Sequence, residues 1–197
     1  MAIFKPTNAT GTPSDYLGFK MCSIKTWKET SADWSWSDVF LTAELDVEGT
    51  EYDQTLDIKG SFERDNAGLI NGGAVLKRMY HLFEMLGCTA GISKAGKWED
   101  EDGGEITDIA DYMNQRFSTF NPDKPNDYSH IIYIYKKPTS KPGVNKAYTT
   151  VHTRMYPNTT KGKADLESHI GWMKGKGFLK EWTGEESTDA SVLVDNL

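Results

Sequence analysis

The chain of 197 residues is poor in cysteine and contains no long apolar stretch. Its two cysteines, Cys22 and Cys88, are too few for a disulfide framework or a four-cysteine zinc site, so we interpret them as buried thiols of a cytoplasmic protein. No apolar run approaches the roughly 20 residues that span a bilayer, and we therefore expect no membrane-spanning helix. The N-terminal residues show neither an apolar h-region nor a small-residue cleavage pattern, so a secretory signal is not expected.

The sequence also lacks the common motifs of catalytic and metal sites. No Walker loop, dinucleotide-binding glycine motif or nucleophile elbow occurs in it. The histidines His81, His130, His152 and His169 form no HxH or HxxxH pair, and the acidic run at 100–104 lacks the ligand spacing of a calcium loop. We therefore predict a protein that is not an enzyme, with no catalytic residue, metal or cofactor.

Positive charge is scarce overall but is concentrated in one segment. The chain has 22 Lys+Arg against 29 Asp+Glu, which gives a net charge of -7. Residues 136–163 contain seven basic residues and no acid, whereas 99–111 contain seven acids and 181–197 contain five, both without a base. This segregation predicts a local basic surface on an acidic protein. Six Trp, nine Tyr and eight Phe are too many for a disordered chain.

Hydrophobic periodicity predicts strands in two groups around one long helix. Strict alternation over 36–47 and again over 51–62 indicates a β-hairpin, and an apolar stripe over 74–86 indicates a helix that ends at Gly87. The first strand would place Leu17, Phe19 and Met21 on one face. The predicted elements are an irregular arm over 1–15, strands over 16–28, 36–47, 51–62, 129–137 and 146–156, helices over 74–86, 107–117 (with Thr107 as N-cap) and 164–173, and a disordered acidic tail over 183–197.

The order of these elements favours one mainly β domain over residues 16–182. Strands that occur in runs, rather than alternating with helices, argue against a doubly wound α/β sheet. Five strands with a helix between the third and fourth are typical of a five-stranded Greek-key barrel of the oligonucleotide-binding (OB) type. We therefore predict an OB-like barrel with a short C-terminal helix.

Aromatic and basic residues are interleaved on the first strand and on the two late strands. Single-stranded nucleic acid is held by rings that stack on bases and by cations that contact phosphates, so this mixture favours a single strand over a duplex. In this prediction the Trp and Tyr rings stack and the Lys and Arg side chains neutralise phosphates. The predicted nucleic-acid-binding residues are Lys20, Lys25, Trp27, Lys28, Trp34, Tyr133, Tyr135, Lys136, Lys137, Lys146, Tyr148 and Arg154.

The orientation of the strand over 129–137 is open at this point. If Ile132 and Ile134 point into the core, then Tyr133 and Tyr135 lie on the other face of the strand. The opposite assignment, with the tyrosines packed inward and the lysines serving solubility, fits the sequence equally well.

Two alternatives come from other functional classes. Asp46, Asp57 and Lys59 resemble the D…(D/E)xK pattern of metal-dependent nucleases, in which two carboxylates hold Mg²⁺. Such a short pattern also arises by chance in a chain rich in acids and lysines. The other alternative is a structural or assembly protein of a virion, with the hairpins as contact surfaces.

The sequence resembles the phage-encoded single-stranded-DNA-binding proteins. The shared features are the hairpin over 39–62, the helix over 74–86 with its FEMLG ending, the basic late strands and the acidic C-terminus, and the resemblance covers about residues 16–182. It implies an OB fold without a cofactor, a role in phage DNA replication or recombination in the host cytoplasm, and an acidic tail that recruits replication or recombination proteins.

The C-terminal tail departs from this family pattern: it ends in Val-Asp-Asn-Leu, where many of the phage proteins that it resembles end in a run of acids with an aromatic residue. A tethered acidic segment can also occupy a basic groove until nucleic acid displaces it. The leading hypothesis is thus a non-enzymatic binder of single-stranded DNA, and the sequence leaves its oligomeric state open.

Overall fold

The computed structural model describes residues 16–139 and 147–182. The elements in these ranges are β1 (Gly18–Glu29), a 3-10 turn (Ser31–Asp33), β2 (Val39–Val47), β3 (Gln54–Gly60), β4 (Glu63–Arg64), β5 (Ile70–Gly72), α1 (Ala74–Leu86), β6 (Gly91–Ile92), β7 (Trp98–Glu99), α2 (Ile109–Phe117), β8 (His130–Pro138), β9 (Ala147–Val151), β10 (Tyr156–Pro157) and α3 (Thr160–Gly175). The predicted N-terminal arm, the acidic tail and Lys146 lie outside the described residues.

The main sheet contains six antiparallel strands. Its order is β10-β8-β1-β2-β3, and β9 pairs with the C-terminal half of β8. The predicted hairpin is confirmed by β2 and β3, which pair from Val39 opposite Gly60 to Leu45 opposite Gln54. Every second residue of β2 is buried, as strict alternation between a core face and an outer face requires.

A mainly β fold is confirmed, but the described strands do not form a closed barrel. The Cα atoms of β3 and β9 approach within 8 Å of each other. The ladders of the described residues nevertheless pair β3 only with β2, and β9 only with β8. The sheet therefore curls until its ends are neighbours and leaves an open seam between them.

The helices agree with the sequence prediction in number but differ in extent. The prediction for α1 is confirmed at both ends, and Gly87 ends the helix with a φ of 67°. The N-cap of α2 is Asp108 and not Thr107, because the Asp108 side chain accepts a hydrogen bond from the Asp111 amide. Helix α3 begins four residues earlier than predicted, after Thr159, which caps its first turn. No helix in the described ranges is long and apolar enough to cross a membrane.

Strand β1 contains a bulge that the sequence does not predict. Phe19 and Met21 precede it and share a face, as predicted, because they pair with Tyr133 and Ile131 of β8, whereas Leu17, before the strand, packs against the main core. The ladder with β2 shifts between Ile24 and Thr26. The bulge reverses the alternation, so Cys22, Ile24 and Trp27 all point into the main core. Burial raises the pKa of the Cys22 thiol, in line with its prediction as a buried thiol.

Two cores lie on the two faces of the sheet. The main core contains the inward residues of β1, β2 and β3, together with Ile132 and Ile134 of β8 and the apolar faces of α1 and α2. The second core lies beneath α3, where Leu166 and Ile170 pack on Ile131 and Tyr133 of β8. The alternation of β8 thus sends its isoleucines at 132 and 134 to one core and its tyrosines toward α3.

Gly162 in the first turn of α3 lies against the chain that precedes the helix. A Cβ atom at this position would be 2.1 Å from the carbonyl oxygen of Pro157. The Gly162 amide also donates to Thr159 Oγ1 at 3.0 Å. Only glycine fits where the helix turns this closely over β10.

Two short hairpins were not predicted. Strand β4 pairs with β5, and β6 pairs with β7, on either side of α1 in the chain. Each strand has only two or three residues, which is too short for periodicity to reveal it.

Candidate nucleic-acid interface

Trp27, predicted to stack on a base, is part of the main core. Its side chain is 2% exposed, and its ring Nε1 donates to the Phe117 carbonyl at 3.4 Å. Asn114 of α2 holds the same residue by its backbone: its Oδ1 accepts from the Trp27 amide at 2.8 Å, and its Nδ2 donates to the Trp27 carbonyl. A ring enclosed in this way cannot reach a ligand, so this part of the predicted site is corrected.

Tyr133 is also buried, beneath α3. Its hydroxyl donates to Glu181 Oε1 at 2.6 Å and accepts from Lys174 Nζ at 2.8 Å, while Lys174 and Glu181 form an ion pair at 2.9 Å. Burial, followed by the hydrogen bond to Glu181, raises the pKa of Tyr133. Of the two orientations that the sequence leaves open for this strand, the structure has the one with Ile132 and Ile134 in the main core and the tyrosines on the other face. On that face, α3 and the segment after it cover Tyr133. Only Tyr135, stacked on Tyr133 at 6.1 Å, extends beyond this cover.

Two of the three predicted lysines of β1 form ion pairs with carboxylates. Lys25 Nζ lies 2.6 Å from Asp53, and Lys28 Nζ lies 3.0 Å from Glu44. The hydrogen bond to Asp53 raises the pKa of Lys25. Lys20 lies nearer the start of β1, opposite Ile132 of β8. Neither Lys25 nor Lys28 lines the cleft described below, so the structure does not bring these two lysines together with the predicted residues of the late strands.

A cleft of about 430 Å³ occupies the seam between β3 and β9. Tyr135, Lys137 and Tyr148, all of them predicted, line it together. They share one face of the sheet because Lys137 pairs with Tyr148, and Tyr135 with Thr150, across the β8–β9 ladder. The structure thus brings together three of the predicted nucleic-acid-binding residues.

The cleft combines aromatic rings with positive charge. Tyr148 is 50% exposed, and the exposed ring of Phe178, from the chain after α3, lines the cleft near it. The charged residues among those that line the cleft are Asp57, Lys59, Arg78 and Lys137. No described residue forms an ion pair with Lys137 or Arg78, so the cleft carries an excess of positive charge.

Both carboxylate oxygens of Asp57, the acidic residue of the cleft, already have partners within the protein. Asp57 Oδ1 accepts from Thr42 Oγ1 at 3.0 Å, and Oδ2 lies 2.8 Å from Lys59 Nζ. The two carboxylates of the nuclease pattern are also far apart: Asp57 pairs with Thr42, and Asp46 lies four positions further along β2, about 13 Å away at the usual strand rise. They cannot share a metal ion. No group of three or more His, Cys, Asp or Glu side chains in the described ranges is arranged to hold one.

The other predicted residues of the late strands lie around the cleft. Lys136 points away from Lys137 and places its Nζ 5.4 Å above the ring of Trp182. Arg154 donates to the Tyr156 hydroxyl at 3.4 Å, and its amide donates to His152 Nδ1. Burial, and then the charges of His169 and Arg154, lowers the pKa of His152 to about 4, so this histidine is neutral near pH 7.

Trp34 and Trp36, from the loop between β1 and β2, form an aromatic cluster with Phe40 of β2. The ring centroids are 6.0 Å apart for Trp34 and Trp36, 6.0 Å for Trp34 and Phe40, and 6.2 Å for Trp36 and Phe40. Lys59, which also lines the cleft, places its Nζ 4.7 Å from the Phe40 ring.

The predicted site omits Arg78 and Phe178, which line the cleft. It also omits Trp36 of the aromatic cluster and Trp172, whose ring contacts Phe178. The sequence shows that Trp34 and Trp36 are two residues apart in a loop. Because a loop has no regular periodicity, this spacing does not predict the direction of either ring. Arg78 lies on the helix predicted over 74–86, for which the sequence pattern indicates only the apolar stripe. Trp172 lies in the helix predicted over 164–173, and Phe178 lies in the segment after it, for which the sequence predicts no element; their rings are 5.5 Å apart.

Comparison of the chain with protein-family models, curated proteins and solved structures finds no match. The functional argument therefore depends on the geometry of the cleft and on its chemistry.

Proposed function

We propose that this protein binds single-stranded DNA in the cleft between β3 and β9, without sequence specificity and without catalysis. The observation that carries the proposal is the pairing of Tyr148 with Lys137: a half-exposed ring beside a cation that no described residue neutralises. Every base has a π-face, so rings bind bases of any sequence, while lysine and arginine hold the phosphates.

The order of strands supports an OB-like interpretation of the sheet. Strand β1 pairs with β2 and β8, β2 pairs with β3, β8 pairs with β9, and β3 lies beside β9. In a five-stranded Greek-key barrel of the OB type, ligands bind the face of the second and third strands and the loops that follow the first and fourth. By this correspondence, the cleft and the loop that carries Trp34 lie on the side where such barrels bind oligonucleotides.

The biological setting of the proposal comes from the resemblance to phage single-stranded-DNA-binding proteins. We place the protein in a phage-like replication or recombination system in the host cytoplasm, where exposed single strands need a sequence-independent binder. Recruitment of replication or recombination proteins by the acidic tail belongs to the same proposal.

The test is a titration of fluorescein-labelled oligothymidylate followed by anisotropy, with wild-type protein and Tyr148→Ala. Loss of one stacked base weakens binding by about 1–3 kcal/mol, or roughly 5- to 150-fold. Tyr80→Ala is the matched control, because Tyr80 is 45% exposed on α1 and does not line the cleft. Wild-type protein that fails to bind at low salt, or equal losses in the two variants, would reject the proposal.

A further inference from the structure

The loop between β1 and β2 is held firmly although it exposes two large aromatic rings. The amide of Ser37 donates to the Trp34 carbonyl at 3.1 Å, and Ser61 Oγ donates to the Trp36 carbonyl at 2.6 Å. The Asp38 amide donates to the Gly60 carbonyl at 3.1 Å. These bonds tie the loop to the end of β3, so the rings are presented in a fixed arrangement before any ligand arrives.

Burial does not explain this arrangement. Trp34 is 45% exposed and Trp36 is 51% exposed, although each ring contacts the other and also Phe40. A contiguous exposed patch of aromatic rings is a feature of interaction surfaces, because leaving such area in water is unfavourable.

Lys59 connects this cluster to the cleft. Its Nζ lies 4.7 Å from the Phe40 ring on one side, and the same side chain lines the cleft on the other. Its present partner is Asp57, at 2.8 Å. That pair is partly exposed, and such pairs contribute little to stability, so a phosphate can compete for the ammonium group.

We propose that the cluster of Trp34, Trp36 and Phe40 is a second base-stacking station for the strand held in the cleft, with Lys59 contacting the phosphate between the two stations. The inference rests on the function proposed above and extends it: the ligand is a single strand long enough to leave the cleft and cross β3. A short oligonucleotide occupies the cleft alone.

The experiment measures affinity for oligothymidylates of about 4 to 16 nucleotides, the range of site sizes known for OB folds. Tyr148→Ala weakens binding at every length. The double variant Trp34→Ala/Trp36→Ala leaves the shortest bound oligonucleotide unchanged and weakens longer ones by roughly 5- to 150-fold for each stack lost. Tyr80→Ala again serves as the control, and the thermal melting curve of each variant verifies that it is folded.

A crosslinking experiment on the wild-type protein avoids the risk that the double variant fails to fold. Oligonucleotides that carry 5-bromodeoxyuridine are irradiated in the complex, and the crosslinked residues are mapped by mass spectrometry. Crosslinks at Trp34 or Trp36 that appear only with the longer oligonucleotides are the expected result.

The outcomes separate the two proposals. In the first outcome, the wild-type protein binds, the double variant has no effect at any length, and crosslinks are confined to the cleft. This outcome overturns the second station alone, and the aromatic cluster would then serve another partner such as a protein. Equal weakening at all lengths also overturns it, because the cluster would then belong to a single undivided site. Absence of wild-type binding at every length overturns the function itself.

Discussion

Strand β1 and the β8–β9 pair have similar mixtures of lysine and aromatic residues, but the fold uses them differently. On β1, Trp27 is inside the core and Lys28 faces Glu44 of β2. On β8 and β9, Lys137 and Tyr148 are paired with each other and line an open cleft. Strand β1 lies between β2 and β8, so its side chains meet those of two neighbours, whereas β9 pairs only with β8 and lies beside the open seam. The same composition therefore stabilises the fold in one region and forms a candidate site in the other.

The largest expected difference between the two regions is in stability. Trp27→Ala removes a fully enclosed ring, and we expect it to lower the free energy of unfolding by about 3–5 kcal/mol. Tyr148→Ala, at a half-exposed position of β9, should change that free energy by about 0.5 kcal/mol or less. Urea denaturation followed by circular dichroism measures both. A Trp27→Ala protein as stable as wild type, but with impaired DNA binding, would reverse the assignment of this ring.

Acid should act through the late strands and not through β1, because the late strands contain buried neutral histidines and β1 contains no histidine. Burial lowers the pKa of His130 on β8 to about 4, and burial with neighbouring positive charges does the same for His152 after β9. Near pH 7 both are neutral in the folded and unfolded states, so neither contributes to pH dependence there. Between the ordinary histidine pKa of about 6.5 and about 4, the unfolded chain binds more protons. Stability is therefore lost as pH falls through this window, by on the order of 3 kcal/mol per histidine.

Denaturation curves at several pH values test this expectation. His130→Asn and His152→Asn should each reduce the slope of stability against pH between about 6.5 and 4. Unchanged slopes in both variants, or a protein that becomes more stable on acidification, would contradict the neutral buried state of these histidines.

Substitutions of Tyr133 and Tyr148 in the late strands should have different effects on stability and on binding. Tyr133→Phe removes the hydroxyl that bonds to Glu181 and Lys174, and we expect a loss of about 2 kcal/mol in unfolding free energy with unchanged DNA affinity. Tyr148→Phe should alter neither quantity, since no described residue bonds to its hydroxyl and the ring is kept. If Tyr133→Phe weakened binding without affecting stability, α3 would have to move away when DNA binds.

The smallest expected effect concerns salt. If Lys137 neutralises one phosphate, Lys137→Gln should reduce the magnitude of the slope of log Kobs against log salt by about 0.7, the value for one contact to a single strand. Lys28→Gln should leave that slope unchanged because Lys28 does not line the cleft. Anisotropy titrations at a series of salt concentrations measure both slopes. Equal changes in the two variants would show that β1 also contacts the ligand.

The sequence predicted elements whose periodicity extends over their full length. The β2–β3 hairpin and α1 were predicted correctly because alternation and a helical stripe continue through each of them. The bulge of β1 between Ile24 and Thr26 was not predicted, because no glycine marks it in the sequence.

The candidate site could be predicted only in part. Segment charge and the interleaved tyrosines indicated the β8–β9 surface, and Tyr135, Lys137 and Tyr148 do meet there. Counting charge along the chain could not show that Asp53 and Glu44 would lie against the β1 lysines, since that depends on strand register. Arg78 and Phe178 reach the cleft from distant parts of the chain, and only the tertiary fold places them there.

The close approach at Gly162 has a consequence for recognising relatives of this chain. With Pro157 oxygen 2.1 Å from the position of a Cβ atom, any larger residue would lift the start of α3 from β10 and uncover Tyr133. Sequences that diverge almost everywhere else while keeping this fold should therefore retain a glycine three residues after the threonine that caps the helix. That short signature offers a way to trace the lineage of this protein where overall similarity has faded.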